Sequence, residues 1–285
     1  MNPQPVHDFL ARLAEHDGFE PLSDAKVASL AASHLHVVIA EDETVVAVGS
    51  VASHAHIRGR HFAIEVAVEP SMRFPAFEVA ALEAATTLVP AGERLSVWSQ
   101  QSSTDRALAQ IGYEPRRSLH YMSVVLPLPG ARASLPGTTV LRSYTPRDDA
   151  SLVSVNNDAF RTHREAGRLS ADEMKVLTSE SWFDARGLLV AETESGITGF
   201  CWTRIHSNED GEIFRVAVPP SSQSGGLGRM LVEAGFDYLS RVGGVKRGTL
   251  WVDAHNDHAM ALYESIGMRI ERTNREFEPV DQPKR

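Results

Sequence analysis

Gln223-Ser224-Gly225-Gly226-Leu227-Gly228-Arg229 is the segment whose residue types and spacing point most directly to chemistry. It follows a run ending in Val216-Ala217-Val218, which reads as a strand halted by Pro219-Pro220. It opens GLGRMLVEAGFDYLSRV, where apolar residues recur at helical spacing. Glycines at such a junction let the backbone approach a ligand and take conformations barred to other residues. Free N–H groups and the positive end of the helix dipole then meet an anion. On their own the glycines suit a plain flexible turn equally well. Two rival nucleotide motifs do not fit, because no G-x-x-x-x-G-K-[ST] occurs and the spacing is not G-x-G-x-x-G.

A cradle of this kind needs a strand before it and a helix after it, and the second half of the chain reads as an ordered series of both. TVLRSY is a strand, PRDDASLVSVNNDAF a helix opened by Pro and acidic residues, and Ser170–Trp182 a second helical stretch. GLLVAETESGITGFCWTRIH reads as a hairpin about a polar Glu-Ser-Gly turn, followed by the strand GEIFRVAV and the glycine-led helix. GTLWVDA, DHAMALYESIG and MRIERTNREFEP then give strand, helix and strand. The order β-α-α-β-β-β-α-β-α-β implies a mixed α/β domain around a central sheet.

The same series is present twice. At an offset of 150 residues, EVAVEPSMRFPAFEVAAL from Glu65 lies over RVAVPPSSQSGGLGRMLV from Arg215, and Gly49 lies over Gly199. VVIAEDETVVAVGS resembles LLVAETESGITGFC, and LAQIGYEP resembles YESIGMRI with Gly112 over Gly267. Three matches in one order indicate a tandem duplication. Leu126–Thr139 is rich in Pro and Gly without apolar periodicity, and its centre, 129–137, reads as a linker between units 1–128 and 138–285.

The balance of residues limits the partners. The formal charge of the 285 residues is -9 and no Lys/Arg run forms a basic stripe, which argues against nucleic acid. No apolar stretch reaches the ~18–20 residues of a membrane span. The N-terminal MNPQPVHDFLARLAEHDG lacks the features of a secretory signal, so a cytoplasmic protein is expected. The single cysteine, Cys201, allows neither an internal disulfide nor a multi-cysteine metal site, and its apolar setting, GFCW, suits a buried small residue. His34 with His36 and His54 with His56 have strand spacing, but no carboxylate pattern accompanies them, and no metal is expected.

Q-x-x-G-x-G after a strand ending in V-A-V resembles the acyl-CoA signature of the GCN5-related N-acetyltransferases (GNAT). In that family the strand backbone takes the pantetheine arm and the glycine turn the pyrophosphate. The resemblance also calls for an Asn on the next strand-to-helix loop and a Tyr one helical turn or so later, where Asn256 and Tyr263 stand. It implies acetyl-CoA as co-substrate, held by Val216, Ala217, Val218, Gln223, Ser224, Gly225, Gly226, Leu227, Gly228 and Arg229. Asn256, Asp257, His258, Ala259, Met260 and Ala261 complete that set. Acetyl transfer to an amine needs a base for the ammonium, a donor for the carbonyl oxygen and an acid for the departing thiolate. Glu212, four residues before Val216, is positioned for the first, a main-chain N–H of Val216–Val218 for the second and Tyr263 for the third.

The duplicate acts as an internal control. Glu212 falls on Phe62, Gly226 on Ala76, Gly228 on Glu78 and Tyr263 on Leu108. The fold implied is therefore two tandem GNAT domains, the first degenerate and the second catalytic. A second acetyl-CoA in the first unit would rest on the backbone of Val66, Ala67 and Val68.

The second unit, taken in order from VNNDAFRTHREAG to LWVDAHNDHAMALYESIGM, is similar to the actinobacterial mycothiol synthases. That family acetylates the cysteinyl amine of a glucosaminyl-inositol thiol. The resemblance makes Glu212 both base and substrate contact and adds Asp24, Glu165, Arg204 and Trp251 as substrate contacts. Arg204 replaces a family Lys and Trp251 a family Tyr, which changes the donor geometry at both. A monomer is expected. Two other readings stay open on the residues alone: acetylation of another small amine, such as an aminoglycoside or amino-acid conjugate, or a non-catalytic acyl-CoA sensor.

Overall fold

A computed structural model describes residues 4–23, 36–56, 59–130, 137–161, 169–207, 209–223 and 225–280, with backbone only for 53–56 and 59–60. The chain forms two compact units. One is Met1–His120 with Asp253–His255 and Arg272–Arg285, and the other is Tyr121–Val252 with Asn256–Glu271.

In the first unit, helix α1 (Gln4–Asp17) buries Val6, Phe9, Leu10 and Leu13, one face at helical spacing. Strands β1 (His36–Glu41), β2 (Thr44–His56), β3 (Gly59–Val68) and β4 (Arg94–Ser99) are joined in the sheet by part of the last strand, β11 (Arg269–Pro279), in the order β1-β2-β3-β4-β11. Helices α2 (Pro75–Thr86) and α3 (Ser102–Gln110) follow β3 and β4. Leu82, Ala85, Ala107 and Leu108 from these helices pack with Phe62, Ile64 and Val97 of the sheet.

The second unit takes its first strand from β5 (Tyr113–Val125), of which Tyr121–Val125 belongs here. Then come β6 (Val140–Ser143), α4 (Asp149–Ala159), α5 (Ala171–Ser179), the hairpin β7 (Leu188–Thr193) and β8 (Gly196–Ile205), β9 (Asp210–Ala217), α6 (Leu227–Arg241), β10 (Arg247–Asp253) and α7 (Asp257–Ser265). The sheet order is β5-β10-β9-β8-β7-β6. One face carries α6 and α7 over a core of Cys201, Ile213, Met230, Leu231, Leu250 and Tyr263. The other carries α4 and α5 over Leu152, Val155, Met174, Phe200, Trp202 and Ala217. The element order is the one expected. Helix α5 is shorter than the stretch Ser170–Trp182: Ser170 and Glu173 form a capping box at its start, and Glu180 is already extended.

The paired glycines do the same work in both units. A Cβ on Gly49 would lie 2.7 Å from Ala85 Cβ on α2, and one on Gly199 would lie 3.0 Å from Leu231 Cδ1 on α6. At Gly49 a side chain would force strand and helix apart, and at Gly199 the fit is tight enough that Leu231 would have to give way.

The compact units differ at three places from the linker-based bounds of 1–128 and 138–285, the shortest being Asp253–His255, which belongs to the first unit. Arg272–Arg285 belongs to the first unit, where Arg275, Glu276 and Phe277 pair antiparallel with Ser99, Trp98 and Val97 of β4. Tyr121–Leu128 belongs to the second, where Met122, Val124 and Leu126 enter the core beside Leu250, Val252 and Met268. A strand's local sequence does not mark which sheet it joins. The open edge it meets and the core its apolar face fills decide that.

Candidate active site

Strand β9 is held by β8 on one side. Trp202 registers with Arg215 and Thr203 with Ile213, so Phe214 is an extra residue, a β-bulge. The bulge changes the alternation. Glu212, facing Arg204, comes to share a face with Arg215 and Ala217, while Ile213 and Val216 take the other. The contacts agree, since Ala217 packs under α4 and α5 and Ile213 and Val216 under α6.

On its other side β9 pairs in parallel with β10 through Asp210↔Arg247, Gly211↔Gly248 and Glu212↔Thr249 only. Both strands continue, β9 to Ala217 and β10 to Asp253, but their ladder has ended. Glu212 therefore stands where the sheet starts to open. The backbone edge of β9 from Ile213 onward is left for another partner, as main-chain N–H and C=O groups require one.

The glycine turn follows directly. Gly225 (φ 74°) and Gly226 (φ 81°) both adopt the left-handed conformation, which a side chain disfavours. Gly226 is the N-cap of α6 and brings no side chain to cap it, and the first helical bond is Met230 N–H to Gly226 C=O. Among the described residues, the N–H groups of Leu227, Gly228 and Arg229 thus form a helix start without a side-chain cap. A Cβ on Gly228 would meet nothing within 4 Å, so there is room beside the first turn of the helix. These features fit a pyrophosphate. Gln223 donates to the Val218 carbonyl at 3.1 Å and closes the turn. The Arg229 guanidinium is engaged by Glu233 (2.7 Å) and Ser265 (2.8 Å), so its main-chain N–H is what it presents to an anion.

Helix α7 brings the remaining resemblance-derived residues. Asn256 is its N-cap, its side-chain oxygen accepting from Ala259 N–H at 3.2 Å. Asp257–Ala261 form the first turns. Tyr263 is 6% exposed and lies in the cluster that contains Cys201, whose register partner is Val216. Burial, and after it the Cys201 thiol, raise the phenol well above its ordinary range, so it holds its proton at neutral pH. By register and core membership, Glu212 and Tyr263 thus belong to opposite faces of the sheet. Cys201 itself is fully buried, and desolvation raises its thiol so far that it is no nucleophile.

Glu212 is nearly buried, its side chain 12% exposed, and Oε2 lies 3.0 Å from His206 Nε2. Arg204 stacks its guanidinium over Trp182 at 4.9 Å. Trp182 in turn packs on Phe214 (5.1 Å) and Trp202 (6.1 Å). Trp251, on β10, lies 4.9 Å from the Tyr121 ring. Asp24, Glu165, Ser224 and His34 lie outside the described residues, as do the side chains of His54 and His56. Sequence reasoning did not single out His206, Trp182 or Phe214. His206 had a weak signal: two residues after Arg204, it alternates onto the same strand face. Trp182 had none, because only the folded chain brings it to Arg204.

The first unit presents a different surface at the matching positions. Its ladder between β3 and β4 runs through Phe62↔Leu95 and on to Glu65↔Trp98, so the sheet stays closed past the place of Glu212. Arg73, at the place of Gln223, donates to both Asp17 oxygens (2.8 and 2.6 Å) and to the Val68 carbonyl (3.0 Å). Glu78, at the place of Gly228, is 1% exposed and accepts from Thr104 at 2.9 Å.

The sequence profile of the Acetyltransferase (GNAT) family matches residues 153–268. The mycothiol acetyltransferase of Renibacterium salmoninarum is 34% identical over 280 residues, covering 90% of this chain and 82% of that one. The mycothiol acetyltransferase of Nocardia farcinica is 33% identical over 280 residues, covering 92% and 89%. Among solved structures, a GCN5-related N-acetyltransferase from Sphaerobacter thermophilus superposes with a TM-score of 0.77 at 22% identity, covering 99% of this chain and 93% of that one. A tandem GNAT protein from the clavulanic acid biosynthesis pathway gives 0.70 at 15% identity, covering 99% and 95%. These two show the fold, and the sequence relatives show the family. The chain belongs to the mycothiol acetyltransferase family of GCN5-related N-acetyltransferases.

Proposed function

We propose that the second unit transfers acetyl from acetyl-CoA to the cysteinyl amine of desacetylmycothiol (Cys-GlcN-Ins), giving mycothiol and CoA. The observation that carries this reading is the end of the β9–β10 ladder at Glu212, with the uncapped start of α6 just beyond. When bound, acetyl-CoA supplies an acyl group activated as a thioester. The N–H groups of Leu227, Gly228 and Arg229 hold its pyrophosphate, and the free edge of β9 at Val216–Val218 aligns the pantetheine arm. Glu212 Oε1 accepts the proton of the incoming ammonium, which at pH 7 is mostly protonated because an α-amine titrates near about 7.7–8.0. A main-chain N–H of Val216–Val218, fixed before reaction, donates to the carbonyl oxygen as charge builds there. The Tyr263 hydroxyl gives its proton to the departing thiolate. Arg204 and Trp251 bear on the polyol, whose hydroxyls need directed polar partners.

Mass spectrometry of purified protein mixed with acetyl-CoA and Cys-GlcN-Ins tests this. Acetylation on the cysteinyl nitrogen supports it. An intact acceptor, with acetyl-CoA bound, refutes it and redirects the search to other amines. Two further results are expected. Tyr263→Phe lowers kcat by about 10²-fold and leaves acetyl-CoA affinity within a factor of two, as removal of a general acid does. A large loss of affinity alone would end the acid assignment. Titration calorimetry gives one acetyl-CoA per chain, because the closed β3–β4 ladder and the Arg73–Asp17 clasp occupy the matching cleft of the first unit. A second equivalent, abolished by substitutions around Val66–Val68, would show that the first unit also binds.

A further inference from the structure

His206 carries no role in the reaction as set out above, yet it is the described side chain that hydrogen-bonds Glu212. Its Nε2 lies 3.0 Å from Glu212 Oε2, and among the described residues Oε1 has no hydrogen-bond partner. An ionised carboxylate can only accept, so in the pair Nε2 bears the hydrogen and donates it. One carboxylate oxygen is therefore occupied and the other is left to meet a substrate.

Main-chain and hydroxyl hydrogen bonds surround His206 at the end of the hairpin. His206 N–H and Ser207 N–H both donate to the Asp210 carbonyl (3.0 and 3.1 Å). Ser207 Oγ accepts from Glu209 N–H (3.2 Å) and Asp210 N–H (3.1 Å). The Glu209 carbonyl accepts from Lys246 and Arg247 N–H (3.2 and 2.8 Å), which ties the turn to β10. Arg247 also holds the Asp210 carboxylate. These bonds tie the described residues on either side of the turn to β9 and β10, and the imidazole reaches Glu212 as a diagonal cross-strand neighbour. Arg204, the register partner of Glu212, has its guanidinium over Trp182.

We infer that His206 is a positioning residue for the base: its Nε2–H holds Oε2 of Glu212 so that Oε1 is aimed at the acceptor amine. This rests on the reading of Glu212 as the base. The imidazole neither gains nor loses a proton in the step; it fixes a rotamer, and the other ring nitrogen, Nδ1, carries no hydrogen in the neutral ring. This geometric role predicts a loss in kcat and not in binding, because an ångström of misplacement at a reacting group costs up to about 10²-fold.

The test compares His206→Phe, which keeps the ring volume without a donor, with His206→Gln, which keeps an N–H donor. His206→Phe is expected to lose about 10- to 100-fold in kcat with the KM for acetyl-CoA and acceptor little changed, and His206→Gln to recover most of that loss. Ring ¹⁵N NMR of the free protein is the second readout. His206 should be the Nε2–H tautomer in the wild type and a tautomer mixture in Glu212→Ala. Equal kcat for wild type and His206→Phe overturns the inference. So does a rise in acceptor KM with kcat unchanged, which would make His206 a substrate contact. An identical tautomer in wild type and Glu212→Ala overturns it as well. The NMR arm needs no substrate, so a wild type that fails to acetylate Cys-GlcN-Ins counts against the proposed function and leaves the pairing to be judged by its tautomer.

Discussion

Glu212→Gln should acetylate about 10²- to 10⁴-fold more slowly than the wild type while binding acetyl-CoA unchanged, the loss expected when a general base is removed. The amide has the shape of the carboxylate and still accepts from His206 Nε2, so the pairing at 3.0 Å survives. What it lacks is a site for the ammonium proton. Glu212 is the last β9 residue in the β10 ladder, and the cradle begins eleven residues later at Gln223, so its substitution leaves the anion site alone. The deficit should shrink as pH rises past the ordinary α-amine range of about 7.7–8.0, because more acceptor then arrives already neutral. Steady-state kinetics from pH 6.5 to about 9.5, with calorimetry for acetyl-CoA, measure both. A variant within threefold of wild type across that range would remove Glu212 as the base.

Gly228→Glu should abolish useful acetyl-CoA binding, raising Kd by at least about 100-fold, with little change in stability. The second unit would then copy Glu78 of the first. A side chain is sterically welcome there, since a Cβ at Gly228 meets nothing within 4 Å and the residue has no left-handed φ. The charge is what does the harm. A carboxylate about 4 Å from a pyrophosphate oxygen costs several kcal/mol at an effective dielectric near 20, and it also competes for the N–H groups of the helix start. Gly228→Gln is the control, with the same bulk and a much smaller loss. Equal losses for both variants would show that space, not charge, limits the cradle. A melting temperature lowered by more than a few degrees in either would show instead that Gly228 serves the fold.

The parts of this site that were legible before the structure are those written as local signals. Three glycines between a strand and a helix marked the cradle, and the repeat exposed its loss in the first unit through Glu78 and Phe62. The order of elements in the second unit was equally plain, because apolar periodicity changes from strand to helix at each boundary. What stayed hidden depends on pairing. GEIFRVAV reads as an uninterrupted strand, so nothing in it announces that Phe214 is bulged or that Glu212 and Ala217 share a face. The end of the β9–β10 ladder is likewise a property of two strands together. His206 could be linked to Glu212 only once the register of β8 on β9 was known. Asn256 shows a subtler shift: picked out for a ligand contact, its side-chain oxygen caps α7, a task its sequence position before a helix already allowed.

The origin of the strand segments in each unit has a consequence for how the chain comes off the ribosome. Phe277 fills the core of the first unit and its strand covers the edge of β4, yet it lies near the end of the chain. At roughly 5–20 residues per second, about 10–30 s separate the emergence of residue 120 from that of residue 280. Throughout that interval the nascent first unit displays a bare strand edge, the feature that invites pairing with a neighbouring chain. Synthesis order and folding order are thus uncoupled. Cutting the gene at the Pro- and Gly-rich linker would not yield two autonomous modules, since each fragment would carry away a strand that the other requires.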